Sequence, residues 1–306
     1  MIESLRNLSL ESYPVQQIEE TFSLLKNEEF MIFSLKPGQE IFRIRPNLPN
    51  RRYYSKSELT HKPLSSNATY LRANTPDFSM FYGWILPNPL AENIYDNGQI
   101  IENIEASNLI RESSDNGRQL ITFSRWVVTD YVPLVAICFK QQMSNEHLND
   151  NGICIEKEIA SYSQKTLDFT HFLAFEFAQK DNDKEFNYLI SALFTKFIIK
   201  NGYGGVAFPN VRAERKGFKV AITPEYVSTS IKLKTVGECS MYKQDHKILV
   251  DNETISFIED DTASFEYNLV PKEYHIGEEK INALFENMKN FKMKEPIFNI
   301  IVNEYL

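Results

Sequence analysis

Cysteine is scarce in this chain: there are three, Cys138, Cys154 and Cys239, among 306 residues. They are far apart and odd in number, so they predict neither a zinc site nor a disulfide framework, and they suit a reducing cytoplasm. The five histidines are equally scattered, with no HxH or HxxxH spacing, which argues against a metal centre. No apolar run approaches the ~20 residues a membrane helix needs. The opening MIESLRNLSLESYP has no basic stretch followed by an apolar one, so it does not read as a signal peptide. These absences together predict a soluble cytoplasmic protein with no membrane association. An excess of positive charge is also missing. The net charge of −8 disfavours nucleic acid as a partner, since affinity for phosphate backbones rests on Lys and Arg. No P-loop or nucleophile elbow is present. The clustered glycines Gly202, Gly204 and Gly205 sit between a helix and a strand, whereas a dinucleotide fingerprint runs from strand to helix.

What the chain does have is rings. Hydrophobic residues make up 42% and aromatics 13%, mostly Phe and Tyr, enough for a core heavy in aromatic side chains. The clearest punctuation lies in Tyr188–Pro224. Leu189, Ile190, Leu193, Phe194, Phe197 and Ile198 fall on one face of a helix, and Asn201-Gly202 reads as its left-handed end. A short apolar strand, Tyr203–Phe208, follows; Pro209-Asn210 turns the chain, and Phe218–Ile222 returns as a strand stopped by Pro224.

Elsewhere, Val15–Leu25 has helical spacing behind Pro14, and Leu167–Ala178 is an aromatic-rich helix. Glu40–Arg45 alternates as a strand. It is either an edge strand with its arginines in water or a strand that holds Arg43 for a purpose, because a buried guanidinium is costly unless paired. Pro46–Ser66 reads as a long polar loop, and Phe78–Leu86 as a buried strand. Gln119–Val128 and Tyr131–Phe139 read as two strands of a hairpin around Thr129-Asp130. Ser228–Val236 and Lys247–Ile258 read as strands and Glu278–Asn290 as an exposed helix, with a boundary near residue 238. The expected division is a helical arm at 1–36, a main domain at 37–238 and an accessory region at 239–306.

The residues that could carry chemistry are Arg43, Arg72 and Arg212, Glu112, and the amide and hydroxyl groups of Asn74, Tyr82 and Asn210. Arginine forks suit phosphates, and one carboxylate opposite them could stabilise a sugar cation. The same residues can equally be ordinary surface ion pairs.

In order, Glu40-Ile41-Phe42-Arg43, Arg72-Ala73-Asn74-Thr75-Pro76 with Phe81-Tyr82-Gly83, Arg111-Glu112-Ser113, Ile121-Thr122 with Arg125-Trp126, and Tyr188–Ile222 resemble the blocks of the RES domain family. The resemblance spans roughly Gln39 to Lys234. It implies an α+β fold similar to ADP-ribosyltransferases, a split mixed sheet flanked by helices, here with an N-terminal helix and a C-terminal extension. It implies NAD as substrate, no separate cofactor, and cleavage of the nicotinamide–ribose bond with water or phosphate as acceptor, in a toxin that pairs with an antitoxin protein. By the same resemblance, Arg43 would hold the pyrophosphate, Tyr82 would pack on the nicotinamide, and Glu112 would bond the ribose hydroxyls. Asn210 stands where the family has a serine, and Arg72, Asn74 and Arg212 join the substrate-binding set. Two further readings stay open: a RES-like domain that binds a nucleotide or a protein without turnover, and an interaction protein that acts through residues 239–306.

Overall fold

The computed structural model describes residues 1–26, 28–63, 69–85, 109, 116–144, 148, 153, 155–179, 184–209, 218–244, 247–259, 263–269, 277–287 and 297–298. In chain order these residues form helices α1 (Ile2–Arg6) and α2 (Val15–Ser23), strands β1 (Ile32–Leu35) and β2 (Glu40–Pro46), and helix α3 (Lys56–Leu59). Strands β3 (Phe81–Ile85), β4 (Gly117–Val128) and β5 (Val132–Ala136) follow, then helices α4 (Gln164–Phe177) and α5 (Leu189–Lys200). The remainder is β6 (Gly205–Pro209), β7 (Phe218–Ile222), α6 (Pro224–Ser230), β8 (Ile231–Gln244), β9 (Lys247–Phe257), β10 (Asn268–Leu269), α7 (Glu278–Asn287) and β11 (Ile297–Phe298). The class is α+β, with mixed strand pairing and flanking helices.

Contacts divide the chain into two units: Met1–Ile41 with Thr60–Pro89 and Val127–Lys232, and Phe42–Leu59 with Leu90–Trp126 and Leu233–Leu306. This replaces the expected division at residues 36 and 238. The N-terminal helix is no arm, because Ile18 and Phe22 of α2 are fully buried in the first unit's core. Residue 238 is no boundary either: it lies inside β8, paired with Thr254 of β9.

The first unit is built on the strand order β1-β5-β6-β7-β3. The β5–β6 pair is parallel, and β1–β5, β6–β7 and β7–β3 are antiparallel. A parallel pair needs a long crossover, and the one from β5 to β6 carries α4 and α5, which both pack on β6. Phe194 of α5 meets the rings of Phe22, Phe30 and Phe169 with centroids 5.6–5.8 Å apart. Helix α5 ends as its Asn-Gly pair predicts: Gly202 has φ +91°, its N–H donates to Ile199 O at 2.9 Å, and Tyr203 N–H donates to Ile198 O at 3.2 Å. Those two bonds satisfy carbonyls that the helix end leaves open. At Gly205, a side chain would place Cβ 1.9 Å from Ala221 O, so only glycine lets β6 lie this close to β7.

The expected hairpin around Thr129-Asp130 does not form. Strand β5 takes β1 and β6 as partners, and Thr129 N–H donates to Ser230 O at 2.8 Å. Ser228–Ser230 is helical rather than extended. Thr223 caps α6 by accepting from Tyr226 N–H at 3.3 Å, and Pro224 fills the first turn, where its missing N–H costs nothing.

The second unit takes the order β2-β4-β8-β9-β10, with β11 parallel to β9. Phe42 of β2 stacks on Phe123 of β4, centroids 5.7 Å apart and planes 14° from parallel. The β8–β9 pairing is antiparallel over ten register pairs, with a bulge between Glu238 and Cys239.

Candidate functional site

The segment before β3 is folded by its own polar groups. Leu71 and Asn74 exchange backbone hydrogen bonds at 3.0 and 3.2 Å, and so do Thr75 and Phe78 at 3.0 Å. Asn74 is buried; its Oδ1 accepts from Met80 N–H at 3.0 Å. The Tyr82 hydroxyl accepts from Ala73 N–H at 2.9 Å, tying the start of β3 back to the Arg72-Ala73-Asn74 stretch. Arg72 donates from Nε to Phe177 O at 2.9 Å and from Nη2 to Gln179 O at 2.7 Å, with its guanidinium 5.4 Å from the Tyr188 ring centre. The last carbonyls of a helix lack partners within it and carry partial negative charge, so a guanidinium fork is well matched to the end of α4.

Three expected substrate-binding residues, Arg72, Asn74 and Tyr82, therefore come together in the first unit. Each of these three side chains bonds to the chain's own backbone. Arg43 lies half-buried on β2, in the second unit. Neither arginine of that strand stands in open water: Arg45 bonds the carbonyl of Glu58 and lies 4.8 Å over the Tyr53 ring. Glu112, Asn210 and Arg212 fall outside the described residues.

Beside this segment is a cleft of about 500 Å³ lined by Tyr13, Thr69, Tyr70, Leu71, Lys184, Glu185, Phe186 and Tyr188. Its walls come from three stretches far apart in sequence, so no local spacing announces it. Glu185 is held by two donors: the Tyr13 hydroxyl to Oε1 at 2.9 Å and Tyr70 N–H to Oε2 at 3.1 Å. The bond to this carboxylate raises the Tyr13 hydroxyl above the usual tyrosine range, because ionising it would put two negative charges side by side. Tyr13 adopts φ +52°, a left-handed conformation uncommon outside glycine and asparagine.

A second polar cluster, also unforeseen, lies within the second unit. Glu238 is fully buried, and Arg52 reaches both its oxygens from Nε at 3.0 and 2.8 Å; Thr254 Oγ1 donates to it at 3.0 Å. The Arg52 guanidinium lies 5.4 Å from the Tyr267 ring centre, and the Tyr267 hydroxyl donates to Tyr53 O at 2.9 Å. With its lone pairs met by a bidentate fork and a hydroxyl, Glu238 serves as a buried structural anion.

The cysteines described are poor nucleophiles. Burial pushes the Cys138 thiol up to about 12 and raises Cys239 as well, so neither forms thiolate near neutrality. Among the described residues, no group of three or more His, Cys, Asp or Glu is placed to hold a metal ion, and no helix is long and apolar enough to cross a membrane. Comparisons with protein-family models, with curated proteins and with solved structures find no match.

Proposed function

We propose that the chain cleaves the nicotinamide–ribose bond of NAD, as a RES-type enzyme with an ADP-ribosyltransferase-like fold. The observation that carries this reading is the bond from Ala73 N–H to the Tyr82 hydroxyl. It joins the two halves of the Arg-x-Asn-x-Pro and Tyr-Gly pattern on which the family resemblance rests. Strands β3, β7 and β6, which carry Tyr82 and the closing block, are also neighbours in the first unit. In this reading Arg72 and Asn74 are positioning residues that fix the segment below Tyr82, whose ring packs on nicotinamide.

The reaction breaks the C–N glycosidic bond. Its electron pair goes to the nicotinamide ring nitrogen, and a water or phosphate oxygen bonds the ribose carbon and gives up its proton. The family resemblance assigns Glu112 to the positive charge that develops on the sugar, Arg43 to the pyrophosphate and Arg212 to substrate binding, with Asn210 offering an amide in place of a serine hydroxyl. A toxin of this kind calls for an antitoxin protein as partner.

Incubation of the purified chain with NAD should release free nicotinamide, and Glu112→Gln should slow the release about 100-fold, the scale of one lost electrostatic contact. A folded protein that releases no nicotinamide sinks the enzyme reading.

A second reading is favoured by the internal hydrogen bonds of Arg72, Asn74 and Tyr82. These bonds suit a domain that binds a nucleotide or a protein without turnover. Calorimetric binding of ADP-ribose with no nicotinamide release selects it.

A further inference from the structure

The cleft of Tyr13, Tyr70, Glu185 and Phe186 has a chemistry of its own, and we propose that it is a binding site for a trimethylammonium-type cation. The inference does not depend on the NAD reading. Aromatic ring faces are electron-rich and attract ammonium groups, best where the site is partly desolvated and an anion stands near. Here the anion is present, and Tyr70 and Phe186 are half-buried. Tyr13 and Phe186 meet at 82° with centroids 6.5 Å apart, and Tyr13 and Tyr70 at 50° with centroids 6.4 Å apart. Walls at these angles form a corner. A flat ring would need two near-parallel faces roughly 7 Å apart, twice a van der Waals contact. A rounded, methylated ammonium fits a corner and touches both faces.

The anion is Glu185. Its two oxygens are fixed by the Tyr13 hydroxyl and the Tyr70 N–H, so the charge is held in the lining rather than swinging into solvent. One ammonium is already at the rings: Lys184 Nζ lies 5.6 Å from the centre of Phe186. The chain thus uses this face as a cation acceptor with its own exposed lysine, which an incoming cation would displace. Tyr188 is less open to a ligand, because the Arg72 guanidinium lies over its ring. Tyr13 is 41% exposed, which leaves the corner accessible. The net charge of −8 favours the approach of a cation.

Calorimetric titration of the full chain with choline chloride, against its neutral isostere 3,3-dimethylbutan-1-ol, tests the proposal. Choline should bind at least about tenfold more tightly than the alcohol, since only the charge differs. Phe186→Leu and Glu185→Gln should each weaken choline about tenfold, while Lys184→Ala should strengthen it by removing the competing ammonium. Sedimentation with phosphatidylcholine vesicles then separates the two sources of this group: co-sedimentation assigns a lipid headgroup, and choline binding without it assigns a free solute. Equal affinity for choline and the alcohol overturns the proposal. So does choline binding that Lys184→Ala fails to strengthen, a variant that removes only an exposed side chain and keeps the test decisive if Phe186→Leu does not fold.

Discussion

At the scale of single residues, the structure turns several side chains to uses that their chemistry alone does not reveal. Glu176 of α4 is the clearest titrating case. Burial raises its carboxyl to about 7 from an ordinary 4.5, with nearby Arg6 opposing the shift only in part. Between pH 4.5 and 7 the folded chain therefore holds more of this proton than the unfolded chain does, and the group's contribution to stability falls as pH rises through that window. Glu176→Gln should leave the melting temperature unchanged near pH 4. Near pH 8 it should stabilise the protein by up to about 3 kcal/mol, read from thermal melts at the two pH values.

At the scale of elements, Arg72 links a loop to the end of a helix, and that link can be weighed. Arg72→Ala removes two charge-assisted bonds, one to the last carbonyl of α4 and one to Gln179 just beyond it, and should cost about 2 kcal/mol in denaturant unfolding. Arg72→Lys should recover little of it, because an ammonium cannot span the carbonyls of Phe177 and Gln179 as a planar fork does. Helix α5 and strands β6 and β7 were legible in advance, because apolar spacing, the Asn201-Gly202 end and Pro209 act locally. The failures are equally specific. Thr223-Pro224 is a helix start as well as a strand stop, and only the capping bond to Tyr226 decides between them. Thr129-Asp130 looked like a hairpin turn, but its N–H groups face Ser230, 100 residues further on. Of the candidate site, the grouping of Arg72, Asn74 and Tyr82 was readable as a motif. The cleft around Glu185 was not, since Tyr13, Tyr70 and Phe186 converge only through tertiary packing.

At the scale of the whole molecule, the two units change what a truncation means. Residues 239–306 were expected to form an accessory region. Within the second unit they instead supply β9, the partner of β8, together with Thr254, which bonds Glu238, and Tyr267, which lies against Arg52. A chain ended after Glu238 should lose that unit's cooperative unfolding, and trypsin should then cut readily at Arg51 and Arg52, whose neighbourhood has lost its cover. Cleavage no faster than in the full chain would count against this account of the second unit.

The Arg52–Glu238 pair also has a consequence for synthesis. Its partners stand 186 residues apart, and each unit is assembled from three separate stretches of chain. As the polypeptide emerges from the ribosome, β2 and β4 are made well before β8 and β9. The first unit has all its parts once Lys232 is out, whereas the second must wait for the residues beyond it. Until then Arg52 has no Glu238 carboxylate to meet, and β4 lacks its partner β8 and the strands beyond it. Pairing across so long a stretch of chain is slow to form and exposed to aggregation meanwhile. The order of translation thus becomes an order of assembly, with the first unit able to close before the second.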